Sequence, residues 1–370
     1  MKDVTVIGCG YVADLYMRSL KAHPDIRVVG AHDRDPARQA AFCAHWGVTP
    51  LPDAAAACAA LPHDGLVLNL TNPRSHAPIT RGCLRASRHV WSEKPMVTDM
   101  ETARELHDLA RARGLQLATA PSSVLSQSAQ GLGRALRMSL GGAPRLIYAE
   151  LDDGFIPQAP YQDWISESGA PWPAEDEFAT GCTLEHAGYW LSWLIAHFGP
   201  VARVVSAAAE VIPDKPGVRH AAPDFSVAAL FFETGPVARL TCSIAAPHDH
   251  RLRVIADEGV IEVARAWDNH APVRYRRRMR LRRRLLESPL ARDVSLKGAP
   301  QPKPGRRGAA RMDFALGPAE MLDAIAQGRE SRLSGAYALH LTEVTLAIQE
   351  GAVREMTTRC DPMEPMPWAM

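Results

Sequence analysis

A chain of 370 residues with a net charge of +1 is long enough for two domains of ordinary size, and it has no global charge excess of the kind that draws in nucleic acid. No apolar run reaches the about 20 residues that cross a bilayer, and with the first apolar run starting so close to Met1 no leader peptide is expected. The seven cysteines (9, 43, 58, 83, 182, 242 and 360) are scattered, with no C-x-x-C pair or zinc spacing, so a cytoplasmic protein with reduced thiols and no metal is expected.

The opening residues carry the strongest signal. Val4-Thr5-Val6-Ile7 is a short β-branched run, followed at once by Gly8-Cys9-Gly10-Tyr11-Val12-Ala13 and then by a helical pattern at Leu15, Met17 and Leu20. This is the dinucleotide fingerprint G-x-G-x-x-A. Gly8 permits the tight turn, Gly10 lets a pyrophosphate approach the backbone, and Ala13 lets the helix pack on the sheet. The helix N-terminus, from Tyr11 and Val12 onward, offers unpaired N–H groups to phosphate. A second apolar run, 26–31, leads to Asp33, where an acid reads the ribose hydroxyls and repels a 2′-phosphate. NAD is the expected cofactor. Arg34 would tolerate the extra phosphate, so NADP stays open.

Strand and helix then alternate to about residue 120. Pro36–Trp46 reads as a helix, 66–70 as a buried strand ending in Thr71-Asn72-Pro73, and 76–86 as a helix containing His76. Residues 89–92 read as a strand ending in Glu93-Lys94-Pro95, 101–113 as a helix capped by Thr98, and 115–118 as a strand. The alternation predicts an α/β domain with a parallel sheet over residues 1–121. Ligands on such sheets bind at the carboxyl ends of the strands, where Gly8, Gly10, Asp33, Thr71, Asn72, Glu93 and Lys94 all fall.

From residue 122 the character changes. Helices are expected over 126–140, 177–198, 318–327 and 334–352, and strands over 146–152, 201–212, 226–233, 237–245, 252–256 and 260–264, with a hairpin turn at 231–236. Short turns between consecutive strands predict an α+β domain over 122–370 with an open, mostly antiparallel sheet. Residues 265–311 fit neither pattern. Arg274–Arg284 holds eight arginines in eleven residues, and 298–311 is rich in proline, glycine and basic residues. A solvated loop or insertion is the expected form; a basic flap for a phosphorylated substrate and a nucleic-acid arm are the alternatives. Trp164, Trp172, Trp190 and Trp193 read as core, although one of the first two would serve as a platform for a sugar.

Lys94 follows a buried strand and precedes a proline, which biases it to an extended backbone. A lysine held beside a nicotinamide can bind a substrate hydroxyl and stabilise an alkoxide; on residues alone, a surface lysine is the plainer reading.

The pattern Gly8-x-Gly10-x-x-Ala13, Asn69-x-Thr71-Asn72-Pro73 with His76, and Glu93-Lys94-Pro95 resembles the glucose–fructose oxidoreductase / inositol dehydrogenase / MocA (Gfo/Idh/MocA) family. The resemblance continues through residues 251–263 and 317–348, with Ala338-Leu339-His340, and covers most of the chain outside 265–311. It implies an N-terminal Rossmann domain that binds NAD or NADP and a C-terminal open sheet through which dimers or tetramers form. It also implies a sugar, cyclitol or nucleotide-linked sugar as substrate and a place for Lys94 in the catalytic pair. The chain departs from the family in residues 181–190, where the family's Asp and, four residues later, His are here Glu185 and Tyr189. Keto-sugar reductases of the family resemble this chain in carrying Tyr there. Such a tyrosine would act as general acid, with Lys94 lowering its pKa. His186 competes for the role; a core histidine satisfied by a backbone carbonyl is its alternative reading. A non-redox NAD-dependent enzyme of glycoside-hydrolase type and a cofactor-sensing regulator are the other readings of the whole.

Overall fold

The computed structural model describes residues 1–63, 65–215, 218, 221–294, 296 and 311–370. The first third is built on a parallel sheet of β1 (Lys2–Ile7), β2 (Ile26–His32), β3 (Leu66–Asn69), β4 (His89–Ser92) and β5 (Leu117–Thr119), in the order β2-β1-β3-β4-β5. Strands β3 and β4 are buried at every position, as parallel strands covered on both faces must be. The covering helices are α1 (Tyr11–Leu20), α2 (Pro36–Trp46), α3 (Ala54–Ala59), α4 (Pro73–Arg85) and α5 (Met100–Ala112). The chain leaves β1 for β2 on one side and returns to β3 on the other, so the strand order reverses between β1 and β3. A crevice opens at the carboxyl ends on either side of such a reversal.

Helix α2 begins at Pro36 as expected, with the Asp35 side chain accepting from Ala37 and Arg38 N–H. Helix α5 is capped by Asp99, which accepts from the Thr102 N–H, and not by Thr98. A carboxylate is the stronger acceptor at the positive end of a helix. Helix α3 is an alanine run with no amphipathic pattern and gives no periodic signal in the sequence.

After α6 (Gln127–Arg137) comes the large sheet. Its strands are β6 (Pro144–Phe155), β7 (Val201–Ala209), β8 (Phe225–Phe232), β9 (Val237–Ser243), β10 (Ala245–Asp249), β11 (Leu252–Ala256), β12 (Gly259–Val263), β13 (Val273–Leu281), β14 (Arg284–Glu287), β15 (Arg292–Asp293) and β16 (Val353–Glu355). The order is β14-β13-β12-β11-β6-β9-β8-β7-β16, with β10 on β6 and β15 on β13. The β6–β9 pair is parallel and the other described pairs are antiparallel, which gives the open, mostly antiparallel sheet that the turn spacing predicts.

Two departures from the sequence reading matter. The helix expected over 177–198 is broken. Helix α7 (Ala174–Thr180) stops at Gly181, whose φ of +96° favours glycine. Thr183–Ala187 then form a π turn that leads into α8 (Gly188–Phe198). A π turn widens the helix and shifts side chains off the regular stripe, a feature common at functional sites. Secondly, Arg274–Arg284 is not a loop. It lies in β13, its turn and the start of β14, because Val273, Tyr275, Met279 and Leu281 supply the period-two alternation of a strand and β13 extends the ladder of β12. Of the second basic stretch, residues 298–310 lie outside the described residues.

Helix α8 is buried on nearly all sides. Trp190 donates to the Glu150 carbonyl on β6 and Trp193 to Ser123 Oγ, so both are core, as expected. The closing helices α9 (Leu316–Ala326) and α10 (Gly335–Gln349) tie the two sheets together. Helix α10 touches both α5 and β7, and Gly317 of α9 sits so close to the Trp91 ring on β4 that a Cβ there would lie 2.0 Å from it. All seven cysteines carry free thiols, and no helix among the described residues is long and apolar enough to cross a membrane.

Candidate active site

A groove of about 650 Å³ runs from the β1–α1 turn, past the ends of β3 and β4, to the π turn before α8. At its first end Gly8 has φ +97°, and a Cβ there would lie 2.6 Å from the Leu70 carbonyl and the Thr71 nitrogen. The turn can therefore be made only by glycine. Gly10 is the N-cap of α1, and a Cβ there would meet nothing within 4 Å. Its missing side chain is open space in the groove wall, beside the unpaired N–H groups of the first helical turn. Asp33 also faces the groove. Its Oδ2 accepts from Cys9 N–H at 2.7 Å and its Oδ1 from Asp35 N–H at 2.9 Å, so the residue that would read a ribose also pins the glycine turn. Tyr11, Val12, Arg34, Thr71 and Asn72 line the same stretch, joined by Arg38. The cradle fits a dinucleotide: glycines where phosphates approach, an acid at the ribose end, and helix N–H groups between.

Two predicted cofactor residues lie elsewhere. Ala13 lies on the buried face of α1, fully out of solvent, where its small size serves packing. His76 is also fully buried and is not part of the groove wall. Its ring nitrogens meet the carbonyls of Pro95 at 2.6 Å and Thr71 at 2.9 Å, so it is a strut between the two strand ends. Burial lowers its pKa below the usual histidine range.

Glu93 and Lys94 follow β4. One Glu93 oxygen accepts from Tyr16 O–H at 2.7 Å, the other from Lys94 N–H at 3.0 Å, and Trp91 Nε1 donates to the Tyr16 hydroxyl at 2.7 Å. This buried chain fixes the backbone from which the Lys94 side chain projects into the groove. Lys94 Nζ is ion-paired with Glu185 on the π turn. Burial alone would lower the Lys94 pKa, but Glu185, Glu177, Tyr189 and Glu93 together raise it above the usual lysine range, so it is an ammonium. The Glu185 carboxyl is pushed up to about 7 by burial, against the attraction of Lys94. Tyr189 also lines the groove here. Burial raises its phenol above the usual value despite Lys94. Lys94 does lower it, as expected, but burial outweighs that effect, so the hydroxyl keeps its proton at neutral pH.

His186 is not satisfied by a backbone carbonyl. Its Nδ1 faces Asp153 and its Nε2 faces Glu177, and two carboxylate acceptors require both ring nitrogens to carry protons. Burial opposes the charge, yet the two carboxylates raise its pKa well above the usual histidine value. His250 Nε2 lies on the second oxygen of Asp153. Asp153, Glu177, His250 and Trp267 are absent from the residues singled out in the sequence. The signals that point to them are the Asp152-Asp153 pair at a strand end and the His248-x-His250 spacing. Trp267 stands edge-on to Tyr189, with ring centres 5.7 Å apart.

A segment of the second half, residues 156–173, crosses the groove. Trp164 and Trp172 stack edge to face on its underside, 5.1 Å apart, and both line the groove. The segment is tied to the first half by Ser168, whose N–H and Oγ both reach Asp14 Oδ2 (2.8 and 2.9 Å), and by Glu167 on Arg18.

The glycine-cradled groove thus ends on a half-buried lysine, a buried carboxylate and a tyrosine. The chain belongs to the Gfo/Idh/MocA oxidoreductase family: the family's NAD-binding Rossmann-fold domain matches residues 2–120 and its C-terminal domain matches residues 136–262. A dTDP-3,4-didehydro-2,6-dideoxy-α-D-glucose 3-reductase of Streptomyces antibioticus is 38% identical over 109 residues, 28% of this chain and 33% of that protein. An uncharacterised oxidoreductase of Synechocystis is 24% identical over 222 residues, 58% of this chain and 56% of its own. The chain thus spans about a third to a half of the length of these curated relatives. The same fold is seen in a 3-ketoreductase of Actinomadura kijaniata in complex with NADP and TDP-benzene. Its TM-score is 0.72 at 20% identity, with 95% of this chain and 98% of that one covered. It is seen again in the WlbA dehydrogenase of Bordetella pertussis in complex with NADH and UDP-GlcNAcA, with a TM-score of 0.71 at 18% identity and 96% and 99% covered.

Proposed function

We propose that this protein is an NAD(P)-dependent oxidoreductase acting on a sugar, cyclitol or nucleotide-linked keto-sugar, with Lys94 and Tyr189 as its acid/base pair. The observation that carries the reading is the convergence of Lys94, Glu185 and Tyr189 at the end of the dinucleotide groove. When bound, the nicotinamide supplies or accepts the hydride. Lys94 is a fixed ammonium and would hold the substrate oxygen, offsetting negative charge that develops there. Tyr189 keeps its proton through burial and would deliver it to that oxygen, turning a carbonyl into a hydroxyl; the oxidation runs in reverse. Glu185 positions the lysine. Asp33 favours NAD over NADP by repulsion of a 2′-phosphate.

The dTDP- and UDP-linked sugars of the similar proteins support a carbohydrate, and the paired tryptophans at 164 and 172 give an apolar platform of suitable size. We also infer that copies associate through the exposed face of the large sheet, where Leu146, Val205 and Val353 are 40%, 38% and 69% exposed. The test of the function is a turnover screen over keto-sugars and their nucleotide-linked forms with NADH and NADPH, using the wild type and Tyr189→Phe. Turnover lost in the variant while cofactor affinity is kept supports the reading. Equal turnover in both removes Tyr189 from it.

A further inference from the structure

The segment His248-Asp249-His250 has no part in the chemistry above. Two residues apart on extended chain, His248 and His250 point the same way, and their ring centres are 4.0 Å apart. Strand β10 carries His248 and ends one residue before His250; it pairs with β6, Asp249 opposite Asp152, and this brings both histidines to Asp153. One donor atom from each of Asp153, His248 and His250 lies within 4.8 Å of the other two. The Asp153 side chain is out of solvent; His250 lies on its Oδ1, and His186, braced from behind by Glu177, faces its Oδ2. Metal-binding carboxylates are oriented by this kind of outer hydrogen-bonded partner.

We propose that Asp153, His248 and His250 form a site for a divalent transition-metal ion of the zinc class, set in the wall of the groove at its substrate end. Two imidazoles and one carboxylate suit Zn²⁺, Fe²⁺ or Co²⁺ and leave coordination positions open. Bonds of about 2.0–2.1 Å would hold the donor atoms roughly 3.4 Å apart, so the ion displaces the proton between His250 Nε2 and Asp153, those two atoms part, and the His248 ring swings in toward them. His248 is exposed and can make that movement, and it opens the entry path. Asp153 itself lines the groove, so the open positions take water or the vicinal hydroxyls of a polyol. That last use rests on the function proposed above; the binding of the ion does not.

The alternative occupant is a proton, with His250 serving only as the ion-pair partner of Asp153. The experiment takes full-length protein freed of metal by a chelator and titrates it with Co²⁺, then displaces the Co²⁺ with Zn²⁺. The expected result is one equivalent of Co²⁺ giving the visible absorption of a four- or five-coordinate ion, and a higher Tm with Zn²⁺. Removal of an outer partner weakens metal binding about 10–100-fold, which is the expectation for His186→Gln; removal of a ligand in His248→Ala should cost at least about 100-fold. His248 is at the surface, so this variant folds, and circular dichroism checks that it does. No stoichiometric binding, only the spectrum of the hydrated ion, or unchanged affinity in His248→Ala overturns the site. The readouts are absorbance and melting, so a failure here is distinct from a failure of the oxidoreductase reading.

Discussion

Replacement of Lys94 by methionine separates chemistry from structure. The side chain of Lys94 is 21% exposed, through the groove, and that of its partner Glu185 is 6% exposed. Loss of a group that holds the reacting oxygen and stabilises its charge should lower kcat by about 10²–10⁴, or roughly 2.7–5.5 kcal/mol of barrier. Breaking a buried ion pair ordinarily costs about 3–5 kcal/mol of stability, because the surviving charge has no partner. Here the surviving group can escape that cost. Burial already holds the Glu185 carboxyl at about 7 with Lys94 present, and without the attraction of Lys94 it rises further, so at pH 7 it is neutral. Lys94→Met should therefore fold with a Tm near that of the wild type at pH 6. The deficit should widen as the pH rises above 7, since the folded variant keeps a proton that the unfolded chain has released. The assay pairs NADH binding, followed by fluorescence, with turnover on the best substrate and thermal melts at several pH values. Turnover within about tenfold of wild type would remove Lys94 from the chemistry. Loss of NADH affinity in step with turnover would make it a binding residue only.

Three further outcomes follow from the same geometry. Gly10→Ala has φ −79° and open space before it, so stability should hold within about 0.5 kcal/mol while NADH affinity falls, whereas Gly8→Ala, at φ +97° and 2.6 Å from backbone atoms, should lose more than about 1–2 kcal/mol; melts and titrations of both variants check the contrast. Wild type should bind NADH more tightly than NADPH, and Asp33→Ser should shift the ratio toward NADPH by at least about tenfold, or 1.4 kcal/mol, read by competition titration. For Glu185 the folded-state pKa lies above the ordinary 4.5, so its share of stability is present below pH 4.5 and is lost as pH rises through about 7; Glu185→Gln should flatten that part of the Tm–pH curve, and with it an inflection near pH 7 in kcat for reduction.

The first half was legible because its signals are local. A β-branched run, a glycine pair and an acid at the end of the next strand each follow from backbone geometry that neighbouring residues dictate, and β1, α1, β2 and α2 fall where those signals put them. The large sheet was legible in class, because turn spacing separates antiparallel from parallel connections. The site at the far end was legible only in part. Glu185 and Tyr189 lie beside Lys94, but a regular helix over 177–198 gives them the wrong frame, because the π turn after Gly181 has no signature in hydrophobic period. Likewise no local pattern says that His186 would sit between two carboxylates. Asp153 reaches it from β6, a contact made only by the tertiary fold. Arg274–Arg284 misled in the opposite sense: its charge reads as solvated loop, while its alternation with Val273, Tyr275, Met279 and Leu281 reads as strand, and the ladder with β12 favours the second. His76 was misplaced because its position in the chain says nothing of which way the ring turns; it turns inward, between two carbonyls.

The most direct test of the central claim is one titration followed by one addition: NADH is bound to the purified protein, then a panel of keto-sugars and nucleotide-linked keto-sugars is added while NADH absorbance is recorded. Saturable NADH binding with oxidation on at least one carbohydrate, abolished in Lys94→Met, is the predicted result. Saturable binding with no oxidation across the panel would contradict the redox assignment, and failure to bind either NADH or NADPH would contradict the reading of the groove that begins at Gly8.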